Sequence, residues 1–463
     1  MEKKTPLYDC HLAAGGTIVP FAGYLLPVNY PTGIIAEHNA VRTAAGLFDV
    51  SHMGEIIITG FDALWNINNL FTNDFTDMQD GQVRYSVMCN EEGGCVDDLL
   101  VYRYNVQRYL VVVNASNRQK DFLWMTSQIR GDVRIEDVSD TVAQIALQGP
   151  AAREILLRIV PSPDALPSGY YTFLPDVAAG GSDDTSCSFV EIDDESNQSH
   201  LANDDSTDAA DSSDIADDDS VDAADQPKSY YYDIEDILHP KKSFLRDSAD
   251  SFNLSEYNLG DSRDPVDPSI HNVKDSGNAI HCLISCTGYT GESGYEIYLS
   301  NDDAPRLWNL LLQEGKDLGL IPCGLGSRDT LRLEAAMPLY GHEMDEHISP
   351  LESSLSFAVK FYKDDFIGRY PLIDRGFPKI RRVGLKITGR GIAREHQSVY
   401  HDGNLIGSTT SGTHAPYLHY PIAMALIDID KAQTGLTVQV EVRPGRLIDA
   451  EIVPLPFYKK ASS

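Results

Sequence analysis

The feature that most constrains the fold is a long acidic stretch in the middle of the chain. Residues 176–276 contain 27 acidic and 6 basic side chains and are rich in serine. Such a composition cannot bury enough apolar surface to offset the entropy that is lost on ordering. The sequence therefore predicts a disordered insertion over about residues 176–278. The fold must be built from the chain on both sides of it.

Composition excludes several classes of protein. The 463-residue chain has a net charge of −32, and no sustained Lys/Arg run marks a nucleic-acid-binding face. Its seven cysteines are scattered without a Cys-x-x-Cys pair, which argues against a disulfide framework and a zinc site. No apolar segment is long enough for a signal peptide or a membrane span. We expect a cytoplasmic protein with no nucleic-acid or membrane partner and no metal.

Three regions outside the insertion differ in patterning. Residues 55–137 alternate five strand patterns with two helical ones, which is typical of a small α+β domain of the ferredoxin-like kind. Residues 1–54 and 138–367 mix strands and helices and are expected to form one discontinuous core domain around the insertion. Residues 379–463 contain five short strand patterns with Gly-containing turns, which predict an antiparallel β-barrel. The predicted class is α+β with three domains.

Two adjacent carboxylates stand out near the start of a predicted strand. A Gly93-Gly94 turn opens the strand, and Asp97 and Asp98 occupy positions where strands disfavour aspartate. Side chains alternate along a strand, so one of the two must point into the interior or a cleft. The hairpin that follows should bring Asp98 and Asn114 to the same end of adjacent strands. An alternative is that one aspartate merely ends the turn.

A glycine-rich turn and a misplaced arginine lie beyond the insertion. Residues 287–299 contain a turn with three glycines that joins two predicted strands, and Tyr289 and Glu296 lie on either side of its centre. A phosphate-binding loop would need a helix there, so that alternative is discounted. Arg328 follows Ser327, the predicted N-cap of a helix, where a cation opposes the helix dipole. We expect Arg328 to face a carboxylate of the protein or of a ligand, with a surface position as the alternative.

Two further local predictions concern the N-terminal region. Residues 20–28 are punctuated by proline and glycine and are predicted to form a shaped loop. His52 has no second His or Cys at ligand spacing, which favours a hydrogen-bonded structural histidine over a metal ligand.

Many motifs resemble, in order, those of the aminomethyltransferase (T-protein) family of the glycine cleavage system. They are Phe48-Asp49-Val50-Ser51-His52-Met53, residues 93–99, Asn114-Ala115-Ser116-Asn117, residues 287–296, residues 324–334, Leu339-Tyr340-Gly341, residues 346–352 and Thr410-Ser411-Gly412. The resemblance covers nearly the whole chain apart from the acidic stretch. It implies a three-domain, cloverleaf-like fold that binds tetrahydrofolate in a central channel.

The resemblance also implies a reaction and its partners. An aminomethyl group on the dihydrolipoyl arm of the H-protein would give its carbon to tetrahydrofolate. The products would be methylenetetrahydrofolate, ammonia and the dihydrolipoyl H-protein. The lipoyl group belongs to the H-protein, and glycine decarboxylase and dihydrolipoyl dehydrogenase would act in the same pathway of glycine catabolism.

Site residues follow from the same resemblance. Asp98 matches the essential acid near N10 of the folate, and Arg328 matches the arginine that holds this carboxylate and would keep it ionised. The positions that match folate contacts are Met53, Tyr85, Asn114, Tyr289 and Glu296. Glu296 suits the amino-pyrimidine donors of the pterin.

Three other functions are alternatives for a chain with this pattern. A related iron–sulfur maintenance protein carries a Lys-Gly-Cys-Tyr motif where this chain has Cys286-Thr287-Gly288-Tyr289, and the lysine is absent here. Related demethylases usually depart from the Asp98 and Arg328 pair. A non-catalytic folate-binding scaffold or regulatory paralogue is the remaining alternative, if the insertion blocks the channel.

Overall fold

A computed structural model of the chain describes residues 2–180 and 279–460. Most of the predicted insertion, and with it the prediction of disorder, lies outside the described residues. The predicted start of the insertion at residue 176 is wrong, because residues 176–179 complete the strand Phe173–Ala179.

The described residues contain eight α-helices. They are α1 (Tyr8–Ala13), α2 (Ile34–Thr43), α3 (Ala63–Leu70), α4 (Arg118–Gln128), α5 (Ala152–Leu157), α6 (Ala304–Glu314), α7 (Leu325–Glu334) and α8 (Arg369–Arg375).

Twenty strands accompany them in the same part of the chain. They are β1 (Lys3–Lys4), β2 (Thr17–Phe21), β3 (Tyr24–Asn29), β4 (Ala45–Asp49), β5 (Gly54–Thr59), β6 (Val83–Cys89), β7 (Cys95–Asn105), β8 (Arg108–Val113), β9 (Arg134–Asp137), β10 (Val142–Gln148), β11 (Phe173–Ala179), β12 (Ile280–Ser285), β13 (Gly294–Ser300), β14 (Leu320–Pro322), β15 (Ile380–Ile387), β16 (Ser398–His401), β17 (Asn404–His414), β18 (Pro421–Asp428), β19 (Thr437–Arg443) and β20 (Arg446–Val453).

A five-stranded antiparallel sheet has the order β6-β7-β8-β5-β9. Helices α3 and α4 cover one face, where Ile67 and Met125 pack on the apolar residues of β5, β7 and β8. All five strands and both helices predicted for residues 55–137 are present. The sheet has one strand more than the four of a ferredoxin-like βαββαβ unit.

A six-stranded sheet has the order β11-β12-β13-β10-β4-β14, with β14 parallel to β4 and the other neighbours antiparallel. Its core face packs against α5 and α6, with Trp308 as its largest fully buried side chain. Its opposite face meets the five-stranded sheet, where Tyr298 and Leu283 pack against Tyr102 and Val112. The two sheets therefore bury a shared apolar layer.

The C-terminal strands close into a six-stranded barrel with the order β15-β18-β17-β16-β19-β20. The five predicted strands are present, and the sixth, β16, was not predicted because it has only four residues. Leu333 of α7 packs against Met424 of the barrel. The predicted α+β class with a C-terminal antiparallel barrel is confirmed, whereas the boundaries of the three domains stay a prediction.

The prediction of a loop over residues 20–28 is wrong. Strands β2 and β3 pair there through a two-residue turn at Ala22 and Gly23, which both have positive φ and fit a type I′ hairpin. Pro20 lies on an edge strand and Pro27 lies beside a register shift, the two places where a sheet tolerates proline.

No helix in residues 2–180 or 279–460 combines the length and apolar character needed to cross a membrane.

Candidate active site

Residues from the sheets, the barrel and helix α7 line one cavity of about 960 Å³. This volume is typical of small-molecule sites. The seven residues predicted for the site all line it: Met53, Tyr85, Asp98, Asn114, Tyr289, Glu296 and Arg328. The structure therefore brings together residues from both sides of the acidic stretch.

The turn before β7 determines where Asp98 enters this cavity. Gly93 has φ 82°, a conformation that glycine adopts without strain. At Gly94, an added Cβ would lie 1.8 Å from the carbonyl oxygen of Glu346, so the turn fits closely against that loop. A register shift then occurs between β6 and β7 just before the aspartates. Such bulges redirect side chains at active sites.

Asp97 and Asp98 point to opposite faces of β7, as the alternation predicts. Asp98 lines the cavity, and Asp97 is fully buried in the interior. The Tyr85 hydroxyl donates to Asp98 Oδ2 at 3.0 Å, and Asn114 Nδ2 donates to Asp98 Oδ1 at 2.8 Å. The predicted approach of Asp98 and Asn114 at one end of the hairpin is confirmed.

The Asp98 carboxyl group titrates near neutral pH. Burial, with the negative charge of Asp97, raises its pKa from 3.8 to about 7, although the hydrogen bonds from Tyr85 and Asn114 oppose the shift. The predicted ion pair between Asp98 and Arg328 is absent from the described residues. The expectation that Arg328 keeps Asp98 ionised is therefore wrong, because a like charge rather than an opposite one dominates its surroundings.

Arg328 projects from the first turn of α7. The helix begins at Leu325 after Gly324, so the predicted N-cap at Ser327 is wrong. The Arg328 guanidinium lies 4.8 Å from the centre of the Tyr289 ring and donates no hydrogen bond to any described residue. Burial lowers its pKa, and the charge of Glu296 opposes that shift. The carboxylate that Arg328 faces is therefore that of Glu296.

Glu296 is a buried carboxyl group on β13. Thr287 Oγ1 donates to Glu296 Oε2 at 2.5 Å. Burial raises the pKa of Glu296 above its ordinary value, while the hydrogen bond from Thr287 and the charge of Arg328 lower it. The other carboxylate oxygen is a further hydrogen-bond acceptor at the cavity wall.

Aromatic side chains form much of the apolar wall. Tyr85 stacks on Phe357, with ring centres 5.7 Å apart and an interplanar angle of 23°. The Tyr289 hydroxyl donates to the Pro338 carbonyl oxygen, which fixes the ring beside Arg328. Met53 packs into the apolar layer between the two sheets. These contacts leave a cavity with flat walls, suited to a planar ligand.

Sequence reasoning missed three polar residues of the wall. His52 Nδ1, Gln144 Oε1 and Arg382 Nε are buried and lack a hydrogen-bond partner among the described residues. The prediction of a hydrogen-bonded structural His52 is therefore wrong, and burial together with Arg328 lowers its pKa to about 4. An unpartnered buried polar atom costs about 1–3 kcal/mol. A polar ligand in the cavity would remove that cost.

A sequence signal existed for two of these three residues. His52 belongs to the motif at residues 48–53, and Gln144 is a polar residue in the apolar run of β10. Nothing local distinguishes Arg382 from the neighbouring arginine in its strand. Among the described residues, no group of three or more His, Cys, Asp or Glu side chains could hold a metal ion.

The sequence matches two family descriptions. Residues 7–178 and 270–363 match the "GCVT N-terminal domain", and residues 381–459 match the "Glycine cleavage T-protein C-terminal barrel domain".

Proteins named aminomethyltransferase are similar over nearly the full length. The one from Desulfitobacterium hafniense (strain DSM 10664 / DCB-2) is 38% identical over 99% of this chain and 98% of that protein. The one from Caldanaerobacter subterraneus subsp. tengcongensis is 39% identical over 99% and 96%. The crystal structure of glycine cleavage system aminomethyltransferase T from Bartonella henselae has a TM-score of 0.71 at 26% identity, covering 99% of both chains. These matches place the chain in the glycine cleavage T-protein family.

Proposed function

We propose that the chain is the aminomethyltransferase of a glycine cleavage system and that the cavity around Asp98 is where the transfer occurs. The observation that carries this proposal is the convergence of Asp98, Arg328 and Glu296 on one cavity in a chain with full-length aminomethyltransferase relatives. The substrate is the aminomethyl group on the dihydrolipoyl arm of the H-protein, and the acceptor is tetrahydrofolate.

The residues of the cavity fit tetrahydrofolate. The cavity volume of about 960 Å³ can accommodate a ligand of this size. Glu296 would accept from the amino-pyrimidine edge of the pterin, a charge-assisted contact that is stronger than a neutral one. The unpaired Arg328 guanidinium and the unpartnered Gln144 Oε1 supply a donor and an acceptor for the remaining polar edge. The side chains of Tyr85, Tyr289 and Met53 would pack against the apolar faces of the folate.

The reaction moves one carbon and two protons. The bonds from that carbon to sulfur and to the amino nitrogen break, and bonds to N5 and N10 of tetrahydrofolate form. The protons that leave N5 and N10 end on the dihydrolipoyl thiol and on ammonia. Asp98 would accept the N10 proton and pass it on, because a carboxyl group with a pKa of about 7 can both take and release a proton at neutral pH.

The partners of this chain follow from the same reaction. A lipoylated H-protein would deliver the substrate arm to the cavity and leave with its dihydrolipoyl group. Glycine decarboxylase would load the arm before this step, and dihydrolipoyl dehydrogenase would reoxidise it afterwards. We place all of them in the cytoplasm.

The test is the release of ammonia from aminomethylated H-protein in the presence and absence of tetrahydrofolate. We compare wild type, Asp98→Asn and the control Asp402→Asn, whose carboxylate is 84% exposed on the barrel. Removing a positioned general base should lower turnover by about 10²–10⁴-fold in Asp98→Asn and leave the control at the wild-type rate. Tetrahydrofolate affinity, measured by fluorescence quenching, should fall far less than turnover.

Two outcomes would contradict the proposal. If the wild type binds tetrahydrofolate but releases no ammonia, the chain is a folate-binding scaffold. If Asp98→Asn transfers at the wild-type rate, the proton acceptor is a different group.

A further inference from the structure

A third carboxyl group lies behind the two aspartates of β7. Asp121, on the first turns of α4, is completely buried. Its backbone N–H donates to the Asn117 carbonyl oxygen at 2.8 Å, and Asn117 Nδ2 donates to Asp97 Oδ1 at 2.8 Å. The carboxyl group of Asp121 therefore lies near that of Asp97, whose charge helps to raise its pKa. No N–H or O–H group of the described residues donates to either of its oxygens. An ionised carboxylate without donors in such a place would cost several kcal/mol, so the group must be neutral or paired.

The hydrogen bonds of Asp97 show what Asp121 does. Asp97 Oδ1 accepts from Asn114 Nδ2 and Asn117 Nδ2, each at 2.8 Å, and Asp97 Oδ2 accepts from the Asn114 backbone N–H at 3.1 Å. A carboxylate offers about four lone-pair positions, of which these donors occupy three. The carboxyl O–H of a protonated Asp121 can occupy the fourth. Both groups are then satisfied by one proton.

No cation in the described part of the chain forms an ion pair with this cluster of three carboxyl groups. Lys120 is the adjacent basic side chain, and its ammonium group donates to the Val96 carbonyl at 2.6 Å and to the Tyr340 hydroxyl at 2.9 Å rather than to a carboxylate. Among the described residues, the other ionisable groups that face the three carboxyls are the hydroxyls of Tyr85, Tyr289 and Tyr340 and the Cys95 thiol. Each has a raised pKa and is uncharged at neutral pH. A proton must therefore neutralise one of these buried carboxylates in place of a counter-ion.

We propose that Asp121 is protonated at neutral pH and that its carboxyl O–H donates a hydrogen bond to the Asp97 carboxylate. This pair is a positioning unit that keeps one fixed negative charge beside Asp98. The inference rests on the proposed function of Asp98, since it explains how that residue comes to titrate in the working range. Asp121 contacts neither the cavity nor a reacting atom, so it acts through Asp97.

The direction of each pKa agrees with this arrangement. Burial and the charge of Asp97 raise the pKa of Asp121 to about 11, so its proton remains in place while Asp98 titrates at about 7. If Asp121 were ionised, a second negative charge would lie near Asp98. If Asp97 were neutral, the charge that raises the pKa of Asp98 would be lost.

Infrared spectroscopy tests the proton without measuring activity. The intact chain is labelled with ¹³C at the side-chain carboxyl of aspartate only, which leaves the signal of the buried Glu55 unshifted. At about pH 9, two units above the pKa of Asp98, we expect a labelled C=O band from a protonated carboxyl group in wild type and in Asp98→Asn. That band should be missing in Asp121→Asn. A wild-type spectrum without the band, or a band that persists in Asp121→Asn, would overturn the proposal.

Two isosteric variants test the fixed charge. The midpoint of the Asp98 titration is measured from its own labelled band and from the pH profile of single-turnover ammonia release. Asp97→Asn removes the charge and should lower the midpoint by about one pH unit or more. Asp121→Asn keeps a neutral hydrogen-bond donor and should leave the midpoint where it is. Equal downward shifts in both variants would mean that Asp121 is ionised, and no shift in Asp97→Asn would mean that Asp97 does not control Asp98.

The spectroscopic result separates this inference from the proposed function. A protein that shows the expected bands and midpoints but does not release ammonia would contradict the proposed function alone. A merely structural role for Asp121 would change stability in Asp121→Asn, but wild type would then lack the labelled C=O band of a protonated carboxyl group at about pH 9. Far-UV circular dichroism identifies any variant that does not fold. In that case the infrared spectrum of the wild type alone decides whether a buried aspartate carries a proton.

Discussion

Arg42 and Arg328 show two ways in which this fold withdraws an arginine from water. The Arg42 guanidinium is buried and donates to Glu334 and Glu292 and to the carbonyls of Thr290 and Leu331. The ring of Tyr458 covers it, with the guanidinium carbon 3.9 Å from the ring centre. Arg328, in the cavity wall, has the Tyr289 ring beside it but no acceptor among residues 2–180 and 279–460.

The buried carboxyl groups divide in the same way. Asp49 accepts from His11, Thr5 and the Ser51 backbone N–H, and these donors lower its pKa although it is buried. Asp98 has fewer donors and a like charge beside it, and its pKa is raised to about 7. A buried charge with a full set of partners stabilises the fold, whereas one with an incomplete set is available for a ligand or a proton.

The largest effect is expected from Arg42→Met. This change leaves Glu292 and Glu334 buried without their shared cation, and breaking such a pair costs about 3–5 kcal/mol. Urea unfolding should show this loss in free energy of unfolding. Arg134→Met is the control, because the side chain is 69% exposed and its ion pair is with Glu136 on the surface, so it should cost about 1 kcal/mol or less. Equal losses in the free energy of unfolding in the two variants would contradict a structural role for Arg42 and its two carboxylate partners.

Arg328→Met should show the opposite pattern. No protein acceptor loses its partner, so we expect a change in the free energy of unfolding of about 1 kcal/mol or less. Tetrahydrofolate affinity should fall by about 10–100-fold, the usual effect of losing a hydrogen bond from a charged group. Equilibrium titration followed by fluorescence measures this affinity. Unchanged affinity, or a stability loss as large as in Arg42→Met, would contradict the comparison.

Glu296→Gln sharpens the comparison within the cavity. The amide oxygen can still accept from Thr287, so the fold should be kept. The lost charge weakens the contact to the pterin donors, and we expect tetrahydrofolate affinity to fall by about tenfold. Thr287→Val is the matched variant: it removes the hydrogen bond from Thr287 to Glu296 and leaves the Glu296 carboxylate in place. Affinity lost only in Thr287→Val would mean that Glu296 acts through the loop rather than on the ligand.

The last effect concerns the dependence of stability on pH. The pKa of Asp98 in the folded state lies above its ordinary value of 3.8, so the folded state binds this proton more tightly. Wild type therefore loses stability as the pH rises from about 4 to about 7, and Asn at position 98 does not. Above pH 7 we expect Asp98→Asn to be more stable by up to a few kcal/mol, about 1.4 kcal/mol for each unit by which the pKa is raised, with the difference vanishing near pH 4. Urea midpoints across this range measure it, and a less stable variant at high pH would be the contrary result.

Local pattern and motif order were sufficient for much of the site. Alternation along β7 predicted that Asp98 and Asp97 face different sides, and the hairpin predicted the contact with Asn114. The strand predicted after the glycine-rich turn is present as β13. These features depend on neighbours in sequence or in one hairpin.

Contacts between distant elements were not predictable in this way. Motif order suggested that Arg328 holds Asp98, but the distance between a strand and a helix depends on the packing of whole sheets, and the arginine faces Glu296 instead. Asp121 carries no signal, since three polar residues precede it in α4 and an aspartate near a helix start is ordinary. Its role became visible only from burial and from the donors around Asp97.

The most direct test of the account is the pH dependence of a single turnover with tetrahydrofolate at saturation. If Asp98 accepts a proton in the transfer step, the rate should rise with pH and reach half its maximum near pH 7, the pKa that burial and Asp97 give this carboxyl group. The residual rate of Asp98→Asn should lack this dependence. A half-maximum near the ordinary aspartate value of 3.8, or the same dependence in Asp98→Asn, would contradict the claim that the cavity is built around a carboxyl group that titrates at neutral pH.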